Sequence, residues 1–256
     1  MKEFFGFGGY TREPEGYLSW QHLLFVTTLM AIMTTLAILL GRKYRSRADK
    51  NKPLIAAALL IDGFELFKIV LLCFRSQNPM NWLHELPLFL CSIQLITIPL
   101  AAFSKGRIRE AAMDFVCIFG ILGAILGTYA AGNNYSCYPV LGFDNVVSGI
   151  THSISGFASL YILISGLASM KKENIFITFA ILLFFCVAAY TANILLDYNY
   201  MFLMRGDGTP YDILFNLVGG HKVLYPLSVV GLFLVYICAY HGVFHLAKRK
   251  ASVPVA

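Results

Sequence analysis

The residues most able to do chemistry are a cysteine and a histidine set in apolar surroundings. Cys91 lies in "LHELPLFLCSIQ" (83–94), beside His84, Glu85 and Gln94. His152 lies in "GITHSISGF". A thiol becomes a strong nucleophile when a neighbouring imidazole takes its proton, and the product of its attack on an ester is an acyl-enzyme. A second polar group is Glu65 and Lys68 in "IDGFELFKIV", three residues apart and able to pair on one helical face. Gln94, three residues after Cys91, and Asn193, in "NILLDYNYMFL", are candidate hydrogen-bond donors for a developing oxyanion. Glu65, Gln94 and Asn193 are also candidates to orient the imidazole. Each has a plainer reading as well: a buried cysteine that packs, a satisfied structural histidine, and an ion pair that neutralises itself.

These residues must be positioned by helices in a membrane. Of 256 residues, 58% are hydrophobic and only 13% charged, about half the charge expected of a soluble domain. The apolar residues form seven blocks of about the length that crosses a bilayer, at roughly 18–40, 54–73, 82–103, 111–131, 146–168, 175–196 and 223–246. None alternates with period two, which excludes a barrel, and the first block lacks the marks of a cleaved signal peptide. The expectation is a single all-α domain over 1–256, a seven-transmembrane helical bundle. Fourteen of the twenty Lys and Arg fall in the loops after spans one, three, five and seven, and five on the other side. This bias puts the N-terminus outside, the C-terminus in the cytoplasm and the chain in the cell membrane as a multi-pass protein. The net charge of +6 follows from that bias and does not indicate a nucleic-acid partner.

On this topology Cys91 lies about 13 Å below Trp82 and His152 about 9 Å below Val146, at a rise of 1.5 Å per residue. Glu65, Lys68, Cys91, Gln94, His152 and Asn193 then share the outer half of the bilayer or its midplane. Asp62 and Asp114 lie deeper. Ionisable groups are costly in hydrocarbon, so their convergence marks a polar cavity. Pro87 is placed either inside a continuous span or as its first helical residue; in the second case His84 and Glu85 form the cavity's mouth. The long segment "DYNYMFLMRGDGTPYDILFNLVGGHKVLYPL" before the last span suits a binding lid, with a short helix in "PYDILFNLVGG", and Asn199, Tyr200, Tyr211 and His221 as roof residues.

No metal-ligand spacing or nucleotide-binding loop occurs, so no metal and no cofactor is expected. Cys73 and Cys137 lie toward the same side, and sequence leaves open whether they form a disulfide.

"LPLFLCSIQ", His152, "NYMFL" and "GGHKVLYP" together resemble the YwaF-type family of bacterial integral membrane proteins. That family is similar in turn to an animal transmembrane acyltransferase that remodels phospholipids with a cysteine and a histidine inside its helices. The resemblance implies Cys91 as acyl acceptor, His152 as base and a membrane lipid as substrate. Gln94, Glu65, Lys68 and His221 carry no role from it. Two other classes compete. A small-solute transporter or channel would use Glu65 and Lys68, although no internal repeat is evident. A non-catalytic membrane partner would use neither pair. A retinal protein is excluded, because 223–246 contains no lysine. The oligomeric state, the acyl donor and the acceptor are left open.

Overall fold

The computed structural model describes residues 1–251, and the described residues are helical or irregular, without strands. The chain divides into two compact units, Met1–Ala168 and Ser169–Ala256.

The first unit holds α1 (Trp20–Lys43), α2 (Arg47–Ser76), α3 (Gln94–Phe103), α4 (Gly106–Tyr129), α5 (Gly132–Cys137) and α6 (Phe143–Ile164). Helix α1 starts where the Ser19 hydroxyl accepts the His22 N–H, and α2 where Ser46 accepts that of Asp49. Helix α4 is mostly apolar beyond its first turns, and Ala111–Gly120, Asp114 included, is buried throughout, so α4 is the central post of the unit. Helix α6 packs on it through small residues. A Cβ on Gly120 would lie 2.7 Å from the Ser155 carbonyl oxygen, and the Ser159 hydroxyl donates to the Cys117 carbonyl oxygen at 2.8 Å. Small residues of this kind let membrane helices approach closely.

The second unit holds α7 (Asn174–Leu196), α8 (Tyr211–Leu217) and α9 (Leu224–Ala251). Helix α8 is the short helix expected after Pro210, and Gly219 and Gly220 end it at positive φ. Helix α7 closes in an amide pair: Asn193 Nδ2 donates to the Tyr200 carbonyl oxygen at 3.0 Å, and Tyr200 N donates to Asn193 Oδ1 at 2.6 Å.

Five of the described segments are long and apolar enough to cross a membrane: Trp20–Lys43, Gly106–Cys137, Phe143–Ile164, Asn174–Leu196 and Leu224–Arg249. Many large apolar side chains face outward, Phe176 being 81% exposed and Phe74 72%, as suits lipid contact. The second expected span is one continuous helix, α2, with Asp62, Glu65 and Lys68 in its apolar stretch. The third is not continuous. A 3₁₀ turn (Pro79–His84) leads into irregular backbone, and helix resumes only at Gln94. Pro87 therefore neither sits inside a helix nor begins one, and the depth assigned to Cys91 from a helical rise does not hold. Cys73 and Cys137 are not bridged; all six cysteines are free.

Candidate active site

The break before α3 presents Cys91 at the approach to a helix N-terminus, where partial positive charge collects. Opposite stands His152, in the middle of α6. The thiol and imidazole face one cavity of about 60 Å³ and interact with each other. Glu65 and Lys68 from α2 complete the polar wall, with Ser92, Ser148, Thr151 and Ser155. This volume holds a few waters or one carbonyl group.

The imidazole is oriented by its own helix. His152 Nδ1 lies 2.7 Å from the Ser148 carbonyl oxygen, one turn earlier. A carbonyl only accepts, so the ring hydrogen sits on Nδ1 and Nε2 keeps its lone pair. The orienting group is thus a backbone carbonyl, in place of Glu65, Gln94 or Asn193. On its far edge the ring lies against α4: a Cβ on Gly127 would sit 1.9 Å from His152 Cδ2 and 2.1 Å from Nε2. Gly123, one turn away, would place a Cβ 3.4 Å from that of Cys91. Two glycines thus make a flat wall on which both reactive side chains rest.

Lys68 Nζ is held by Glu65 at 2.6 Å and by Glu85 at 2.9 Å. The second bond ties the irregular segment carrying Cys91 to α2. Ser155, 2% exposed, has an Oγ without a partner among the described residues, and it lines the same cavity.

The fold therefore brings together Cys91, His152, Glu65 and Lys68. It does not bring Gln94. That residue is fully buried, its Oε1 accepts from Thr97 Oγ1 at 3.1 Å, and it does not line the cavity, because the helix that would place it beside Cys91 starts only at Gln94 itself. The other expected site residues belong to the second unit. Asn193 closes α7. Asn199 Nδ2 donates to the Arg205 carbonyl oxygen and to Asp207 Oδ2, both at 2.8 Å. The backbone N–H of Tyr200 completes the Asn193 pair, Tyr211 stacks on Phe202, and His221 Nδ1 accepts the N–H groups of Val223 and Leu224 at the start of α9. Ser92, Ser148, Ser155, Gly123 and Gly127 were missed in the sequence, and the bond of Glu85 to Lys68 was not foreseen. Ser148 and Ser155 lie at i−4 and i+3 from His152, and Gly123 and Gly127 are four apart, so helical spacing was the available signal.

A bundle of apolar helices with ionisable groups converging inside it is that of a multi-pass membrane protein. A family model narrows the class: the TMEM164 family, a family of transmembrane proteins, matches residues 17–241, and the chain belongs to it. No curated protein and no solved structure matches the chain.

Proposed function

We propose that this protein is a membrane-embedded lipid acyltransferase with Cys91 as nucleophile and His152 as base. The observation that carries this reading is the shared cavity: a thiol meets an imidazole whose Nδ1 hydrogen is already committed to Ser148, beside a buried hydroxyl with no partner among the described residues. His152 Nε2 takes the thiol proton, and the thiolate attacks the carbonyl carbon of a donor ester. Ser155 Oγ–H donates to the oxyanion, the role first considered for Gln94 and Asn193. The intermediate collapses, the ester C–O bond breaks, and the imidazolium returns its proton to the leaving alkoxide. In the second half an acceptor hydroxyl gives its proton to His152 and attacks the Cys91 thioester, and the thiolate that leaves is reprotonated.

The same reading counts α2 and the broken third segment as two further crossings, seven in all, with the N-terminus outside. A break at membrane depth fits it, since irregular backbone is tolerated there where it lines a cavity. It also keeps the likeness to YwaF-type proteins and to the animal acyltransferase. A solute transporter built on Glu65 and Lys68 is less well supported, as the two are bound to each other and to Glu85.

The test is intact-protein mass spectrometry after exposure to p-nitrophenyl palmitate. Wild type should gain one palmitoyl mass, Cys91→Ala none, and His152→Ala should gain it about 10²–10⁴ times more slowly. Absence of the adduct from wild type, with all three proteins equally monodisperse, sinks the acyl-enzyme.

A further inference from the structure

We propose that the acyl chain of the lipid handled at Cys91 lies in a groove between α2 and α3, walled by Leu95, Ile96, Pro99, Leu100 and Phe103, with Asp62 as its only charged wall residue. The proposal rests on the acyl-transfer reading and adds to it where the hydrocarbon goes.

The cavity at Cys91 is polar and, at about 60 Å³, takes a carbonyl but no chain. A second cavity of about 460 Å³ adjoins it, and Leu95 lines both. The second cavity falls in the size range of sites for small ligands. Its walls are mostly apolar, and it follows α3 from Leu95 to Phe103, about 12 Å at the helical rise. It exists because α3 has two faces. Ile93, Gln94, Thr97, Ile98, Ala101 and Ala102 are buried in the first unit, while Leu100 and Phe103 are exposed at 41% and 57%. The exposed face meets α2 beside Asp62, one turn from Glu65 of the Cys91 cavity.

Direction and charge select the occupant. The ion pairs of Lys68 lie at the Cys91 end, and the groove runs from there along a mostly apolar wall to Ser104. A lipid has the same order: polar head, ester carbonyl, hydrocarbon. Asp62 Oδ1 is buried without a partner among the described residues. The groove wall offers no cation to hold the carboxylate of a free fatty acid, and its apolar side chains suit the neutral chain of an ester.

Two readouts on the full chain in phosphatidylcholine nanodiscs separate this proposal from the one it rests on. The first is the ratio of palmitoyl to acetyl labelling of Cys91 from the two p-nitrophenyl esters. Leu100→Trp, which fills the groove, should lower that ratio about tenfold, the scale on which apolar pockets discriminate by size. Leu59→Trp, on the lipid-facing side of α2 and outside the groove, should leave it unchanged. The second readout needs no acylation: a phosphatidylcholine with a diazirine at its chain end should crosslink to residues 94–103, and Leu100→Trp should remove that crosslink. If the ratio and the crosslinks are the same in Leu100→Trp as in Leu59→Trp, the groove is overturned, even with Cys91 fully acylated. If wild type takes neither acyl group but crosslinks at 94–103, the groove stands as a lipid site and the acyl-enzyme falls.

Discussion

Residues of α2 and α6 take part in two polar clusters, about 10–12 Å apart along each helix by residue count. At one, Arg75 grips Asp144 with two bonds of 2.7 and 2.9 Å, and Tyr10 donates a third to Asp144 Oδ2 at 2.6 Å. Arg75 also donates to the Phe5 carbonyl oxygen, and Phe143 N to that of Phe4, so the cluster ties down the N-terminal arm. At the other, Lys68 is paired by two carboxylates, yet the neighbouring Ser155 hydroxyl has no partner among the described residues and a cavity remains. The helices and the polar residue types are alike. What differs is unused hydrogen-bonding capacity. A saturated cluster holds structure, because each buried polar group is worth most when paired. A cluster with a thiol, a poised imidazole, an orphan hydroxyl and space has something left to offer a substrate.

The contrast breaks first at Gly127. An alanine there places its Cβ where the His152 ring lies, so the ring must move by an ångström or more. Misplacement on that scale costs about 100-fold in rate, against about 1–3 kcal/mol of stability for overpacking. Gly127→Ala should therefore lose Cys91 acylation while still folding. Gly63→Ala, with open space around the position, should label like wild type. Wild-type labelling of Gly127→Ala means that the ring's seat on α4 is immaterial to the chemistry.

Arg75→Met should do the opposite. Asp144 is left with one donor, and side-chain exposures of 12% and 18% for the pair keep it short of full burial. Breaking a deeply buried pair costs about 3–5 kcal/mol; here about 2 kcal/mol is expected, read as a lower thermal midpoint in detergent. Arg75→Met with Asp144→Asn should recover part of it, and the folded fraction should still acylate at Cys91. A midpoint equal to wild type would place Arg75–Asp144 among surface pairs of little worth.

Five of the helices that match the expected spans, and the pairing of Glu65 with Lys68, were legible in the sequence, because each depends on composition or on spacing within one helix. Cys91 and His152 could be chosen singly, since a reactive group is costly in hydrocarbon. Their meeting was expected from a shared depth; what spacing could not register is how α4 and α6 pack and the space that Gly123 and Gly127 yield. The third apolar block misled for a related reason. "LPLFLCSIQ" has the hydropathy of a span, but Pro87 and the ion pair from Glu85 to Lys68 favour a bend that hydropathy does not register. That bend removed Gln94 from the site. It also left room for serine hydroxyls, whose part was invisible because serine on a helix commonly bonds its own backbone.

The finest distinction between the clusters lies in one phenol. Burial, then the hydrogen bond to Asp144 and its charge, push the Tyr10 pKa from 10.0 up to about 12. A folded-state value raised above the unfolded one means that the neutral phenol is the form the fold prefers. Its contribution is fully present below pH 10, declines as pH climbs from 10 toward 12, and does not change around neutrality. Tyr10→Phe keeps the ring and removes the donor, which should cost about 1 kcal/mol at neutral pH, the ordinary worth of one hydrogen bond. The gap in thermal midpoint between wild type and Tyr10→Phe should close, and then reverse, as pH passes the phenol's value, because a phenolate beside the Asp144 carboxylate repels it. A gap that persists above pH 12 would mean that Arg75 alone saturates Asp144, and the arm would then be held by Phe4 and Phe5 on Phe143.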